Sequence, residues 1–248
     1  MNPSSEGDLQ SIDHAWSRLS FAAWLSLTVH IIAGLGMATI LSQGLATNTD
    51  LADRLSFIAD RKALWIGAWL AWSAAALAIF YFYMCFAHAH ELGEKSPKVP
   101  LRFAVLLTAA AIAADLSAQA IQMGVIPQLA IRAVSEGTTT LIGTSTQLFH
   151  TVDRIAILLT GYLANGLYTI SALLLVASTW HVYPRWTWTA GVAVGVAGLS
   201  LSTTALANSV TGMVWSNVVL VPAIVVWQFG VAVAAGKRAR RLYMSLRS

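Results

Sequence analysis

The chain has 248 residues, of which 57% are hydrophobic and 10% charged, with a formal net charge of +4 and a mean hydropathy of +0.66. Soluble domains carry about 25% charged residues, so this composition excludes the soluble class and defines a membrane protein. The basic balance does not point to nucleic acid, because the positive residues gather in the tail KRARRLYMSLRS, where anionic lipid headgroups are the fitting partner.

The first eighteen residues, through Arg18, are polar and acidic where a cleavable signal would be basic, so the first apolar run is expected to be retained. Windows of about 20 apolar residues predict spans at 19–41, 63–87, 101–122, 155–179, 186–207 and 213–235. The fold class is therefore all-α, a polytopic bundle of six transmembrane helices in one domain, followed by a basic tail over 236–248. Six spans put both ends of the chain on one side. That side collects Arg18, Lys95, Lys98, Arg102, Arg185, Lys237, Arg238, Arg240, Arg241 and Arg247; the other collects Arg54, Arg61, Lys62, Arg132 and Arg154. The bias places the termini in the cytoplasm of a bacterial-type inner membrane.

Between the first two spans, SQGLATNTDLADRLSFIADRK mixes acids and bases, with Asp50 and Arg54 at i,i+4, and predicts a short solvated helix. In the second span Trp65, Trp69 and Trp72 form a stripe that reads as packing and interface anchoring. Cys85 is the single cysteine, a packing residue that leaves no disulfide or cysteine-based metal site. HAHE, from His88 to Glu91 with Glu94 beyond, resembles a metal spacing. However, H-x-H sets two imidazoles about 200° apart on a helix, so interfacial histidines are expected and no metal site.

The third span holds Asp115, the one formal charge between Arg102 and Arg132. A carboxylate in hydrocarbon costs roughly 2.5 to 3.5 kcal/mol on insertion scales, so such a residue marks a function or a partner. Gln119 and Gln122 follow on the same helical face. The connection 123–152 is long; Pro127 and Gly137 punctuate it, LAIRAV is a candidate interfacial helix, and the whole reads as a cover. At its end His150, Asp153 and Arg154 form a candidate clamp at the bundle mouth, with helix capping and headgroup contact as the plainer account.

Depth counting at about 1.5 Å per residue brings His30 of the first span, Asp115, and Asn165 and Tyr168 of the fourth to one level. His30, Asp115, Gln119, Gln122, Asn165 and Tyr168 are thus the candidate ligand-binding cluster, set against a reading in which they only bond helices together. Shielded from water, the acid is a candidate for proton exchange. In the fifth span Gly191, Gly195 and Gly198 line one face and let a backbone approach, either within the bundle or from another subunit. Pro222 is expected to kink the sixth span, with Asn217 serving the freed backbone groups.

Histidines on membrane helices can hold haem, but none pairs with His30 at its depth, and no lysine within a span offers a retinal Schiff base. The cofactor stays undefined. No nucleotide, hydrolase or metalloprotease motif is present. The leading reading is binding or transport of a small polar or amphipathic ligand with proton coupling. A non-catalytic subunit or assembly factor of a larger membrane complex is the alternative, with membrane-protein partner subunits or a homo-oligomer as the candidate partners; an intramembrane acid–base enzyme or b-haem carrier comes third.

Overall fold

The computed structural model describes residues 6–93, 96–135 and 143–245. Glu94, Lys95, Gly137 and Arg247, singled out above, lie outside them. The described residues form helices and turns with no strand among them. In chain order these are α1 (Glu6–Gly36), a π-helical stretch (Met37–Leu41), α2 (Ser42–Gly44), α3 (Leu51–Asp60), α4 (Lys62–Gly93), α5 (Lys98–Gly124), α6 (Ile126–Ser135), α7 (Thr144–Ile157), a second π-helical stretch (Leu158–Ala164), α8 (Asn165–Thr179), α9 (Arg185–Leu206) and α10 (Val210–Ser245).

Six helical runs are long and apolar enough to cross a membrane: Gln10–Gly44, Lys62–Gly93, Lys98–Ser135, Thr144–Thr179, Arg185–Leu206 and Val210–Met244. Each covers its expected apolar window except at residue 207, and most extend well past it. The fourth differs most, beginning at Thr144 rather than at 155. Local chemistry sets several ends. Asp50 accepts from the backbone N–H groups of Ala52 and Asp53 at 2.8 and 3.1 Å and starts α3. Pro97 and Pro184, extended and unable to continue a preceding helix, stand before α5 and α9. Asn208 at φ 57° turns the chain from α9 into α10. Pro222 lies inside α10 without ending it, and Asn217 donates to Met213 O, not to a carbonyl the proline frees.

The spans pack as a closed ring: α1 on α4, α4 on α5, α5 on α8, α8 on α9, α9 on α10, and α10 back on α1. Towards the termini the interior is filled by aromatic rings. Trp227 meets Phe82 and Tyr83 edge-on at 5.5 and 5.9 Å, with Phe86 beside them. At the opposite, loop face α3 folds against α6, and α6 against α7, closing a second core around Leu41, Leu55, Ile58, Trp65, Trp69, Ile126 and Phe149. The expected helix in LAIRAV is α6. Large apolar side chains such as Phe21, Leu106 and Val196 cover the outside of the ring, the surface that acyl chains cover in a membrane.

The glycine face of α9 is spent inside the bundle. A Cβ at Gly191 would lie 2.5 Å from Val176 Cγ2, and Cβ atoms at Gly195 and Gly198 would collide with Leu173 and Thr169. Of the two uses expected for this face, the structure selects contact with α8.

Candidate functional site

Asp115 points into the seam between α5 and the fourth span and is 4% exposed. Thr160 Oγ1 donates to one carboxylate oxygen at 2.6 Å, and Tyr168 O–H approaches the other at 3.4 Å. Thr160 lies within the π-helical stretch Leu158–Ala164. Such single-turn insertions shift the helical register and are frequent at functional sites. Here the register change delivers a hydroxyl to the acid while Tyr168, on the regular helix that follows, reaches the same group.

One turn along α5, Ser73 Oγ of α4 donates to Gln119 Oε1 at 2.5 Å, and the Gln119 amide N–H faces the Asp115 carboxyl as a donor. Gln122 Nε2 donates to Asp153 Oδ1 at 3.0 Å, and its Oε1 has none. Trp65 Nε1 donates to Gln122 O at 2.7 Å; Trp69, one turn deeper on α4, leaves its indole N–H unpartnered. Gln119 and Gln122 are 0% and 2% exposed. Leaving a buried polar atom unpaired costs about 1 to 3 kcal/mol, and two such atoms, Gln122 Oε1 and Trp69 Nε1, share this α4–α5 seam.

The column ends at the loop face in an ion pair. Arg54 Nη2 meets Asp153 Oδ2 at 3.2 Å, Arg54 Nε donates to Gly44 O at 3.1 Å, and the guanidinium lies 5.5 Å from the centroid of the Phe149 ring. Asp115, Gln119, Gln122, Asp153 and Arg54 therefore form one polar file from mid-span to the loop face.

Several expectations are corrected. Arg54 does not form a solvated pair with Asp50; it turns inward, because α3 presents Arg54, Leu55 and Ile58 to the bundle. Asp153 is not a helix cap, since α7 starts nine residues before it. The trio at the mouth divides. Arg154 donates to Ala205 O at 2.7 Å, Leu206 O at 2.8 Å and Asn208 Oδ1 at 3.0 Å, closing the C-terminus of α9. His150 stands edge-on to Phe149.

His30 does not join Asp115, because α4 stands between their helices in the ring. Its Nδ1–H donates to Ser26 O at 2.7 Å, and Gln228 Nε2 of α10 donates to Ser26 Oγ at 2.8 Å. Asn165 also faces away, donating to Gly198 O at 2.7 Å and Ser202 Oγ at 2.9 Å. His88 is exposed, but His90 is no interfacial residue. It is buried, stacked on Phe86 at 4.3 Å, and accepts from Tyr183 O–H at 3.1 Å.

Sequence reasoning missed Thr160 and the reach of Arg54. Thr160 is the lone hydroxyl in LLTGYLA besides Tyr162, a signal that depth counting from Asp115 would have found. Arg54 carried none, being 99 residues from its partner.

The ring and its buried file define the class: a helical membrane protein with an internal polar site. In comparison with known proteins, the chain has no significant match to a family model, a curated protein or a solved structure.

Proposed function

We propose that this protein binds a small polar ligand, admitted from the loop face, in the seam of α4, α5 and α8, and moves it with a proton carried on Asp115. The observation that carries the reading is the pair of buried polar atoms, Gln122 Oε1 and Trp69 Nε1, left unpartnered on the α4–α5 seam that holds Asp115 and Gln119. A ligand offering a donor to Gln122 Oε1 and an acceptor to the Trp69 indole N–H would offset the cost of burying them unpaired. The site is one-sided: polar residues extend from Asp115 to Arg54 and Asp153, while the rings of Phe82, Tyr83, Phe86 and Trp227 fill the bundle towards the termini. Release to the terminus side requires that plug to rearrange. The excess of basic residues at the terminus face supports a cytoplasmic placement of that face in a bacterial-type inner membrane.

The subunit alternative draws on the glycine face and the aromatic stripes as contacts, and of these the glycine face is occupied by α8.

The test is thermal unfolding of the purified protein against a panel of small amines, amino acids, amides and sugars at several pH values. A ligand that binds the folded state raises the midpoint. At least one compound should stabilise the wild type in a pH-dependent way and lose that pH dependence with Asp115→Asn. A panel without effect, or a stabiliser whose pH profile is the same in the variant, would overturn the proposal.

A further inference from the structure

The groove between α1 and α10 at the terminus face has the layered chemistry of a phospholipid. The two helices touch closely further in, where Ser20 Oγ donates to Ala232 O at 3.0 Å and a Cβ on Gly236 would lie 3.1 Å from Ser20 Oγ. Alongside that contact, with Ser20 and Gly236 in its wall, they leave a groove of about 760 Å³. Its walls change character with depth. Asp13, Ser17, Arg240 and Tyr243 line it near the helix ends, and Phe21 and Trp24 line it further in. Ser17, Phe21 and Trp24 share one face of α1 at i, i+4 and i+7, covering about 10 Å along the axis. Phe21 and Trp24 are 62% and 43% exposed, large apolar surfaces at the depth of an acyl chain, and Trp24 continues into an edge-on contact with Phe229 at 5.6 Å.

We infer that this groove holds one anionic phospholipid, its phosphate on Arg240 and one acyl chain along Phe21 and Trp24. Charge selects the occupant. Arg240 lines the groove and is exposed, with Lys237 and Arg241 exposed beside it on α10, against one lining acid among the described residues, Asp13. A zwitterionic headgroup gains little from that field, whereas an acidic one gains the attraction of each basic residue. Ser17 brings a hydroxyl group to the same level. The site is separate from the polar file of α5 and does not depend on what that file binds.

The experiment is native mass spectrometry of the full chain released from nanodiscs holding equal phosphatidylglycerol and phosphatidylcholine. The wild type should retain one phosphatidylglycerol with a preference of about fivefold or more, roughly the contribution of one basic residue at an anionic surface. Arg240→Gln should reduce that preference to near unity, while Arg132→Gln, an exposed residue of α6 at the loop face, should keep it. Phe21→Ala should weaken retention of both lipids without changing their ratio. Equal retention of the two lipids by the wild type, or an unchanged preference in Arg240→Gln, overturns the proposal.

Discussion

Arg54 and Asp153 hold opposite charges with side chains 7% and 9% exposed, at a place where neither charge has water to fall back on. Breaking such a pair from one side leaves an uncompensated buried charge and costs about 3 to 5 kcal/mol, whereas replacing both partners with apolar groups is often neutral or better. Arg54→Met alone and Asp153→Leu alone should each lower the thermal midpoint strongly, and the double variant should recover most of the loss. A double-mutant cycle showing additive losses would contradict the pairing. Asp115 belongs to the same scale. Its need for polar partners and its proximity to Tyr168 are legible in the sequence, because an acid in an apolar run is costly and depth is countable from span ends. The direction a residue faces is not countable in that way. His30 and Asn165 match Asp115 in depth but face other seams, so the sequence placed them in one cluster and the ring separates them.

Helix ends depend on chemistry that hydropathy does not register. The fourth span starts at Thr144 because Ser145, Thr146, Phe149 and Asp153 are buried within the fold, although TSTQLFHTVDR is too polar to pass for membrane sequence. The π-helical stretches are equally hidden, since nothing in MATIL or LLTGYLA distinguishes them from regular helix. Small-residue faces are legible as contacts, but the partner is fixed only by the assembled bundle. The glycines of α9 give a direct test of that partner. Gly198→Ala drives a methyl into Thr169, which is itself buried, and overpacking of this kind costs about 1 to 3 kcal/mol. Gly67→Ala, in α4 with nothing within 4 Å of the added carbon, should instead gain up to about 1 kcal/mol from helix propensity. Thermal unfolding in one detergent reads both changes, and a shift of the same sign for the two would count against the α8–α9 packing described here.

At the scale of the whole molecule the ring is closed by α1 and α10, the two spans most distant in sequence. The positions of Ser20 and Gly236 suit a covalent check. The added Cβ at Gly236 lies 3.9 Å from Ser20 Cβ, close to the mean of about 3.8 Å for a disulfide. Cysteines at both positions, with Cys85→Ser, should cross-link within one chain under mild oxidation, and dimers without intrachain bonds would refute the closure. The six apolar runs and their count are legible from length and composition, but closure is not, since any of several orders of packing accommodates them.

This closure constrains how the protein is assembled during synthesis. Until α10 leaves the ribosome, Ser26 lacks Gln228, the inner rings lack Trp227, and α1 has a single flanking helix to lean on. The bundle therefore spends most of its translation as an open arc with a polar notch turned to lipid, and the final helix completes the fold by wedging between the first and the fifth spans. A chain truncated before residue 210 should therefore leave Ser26 without Gln228 and the inner rings without Trp227, and unfold at a lower temperature than the full chain.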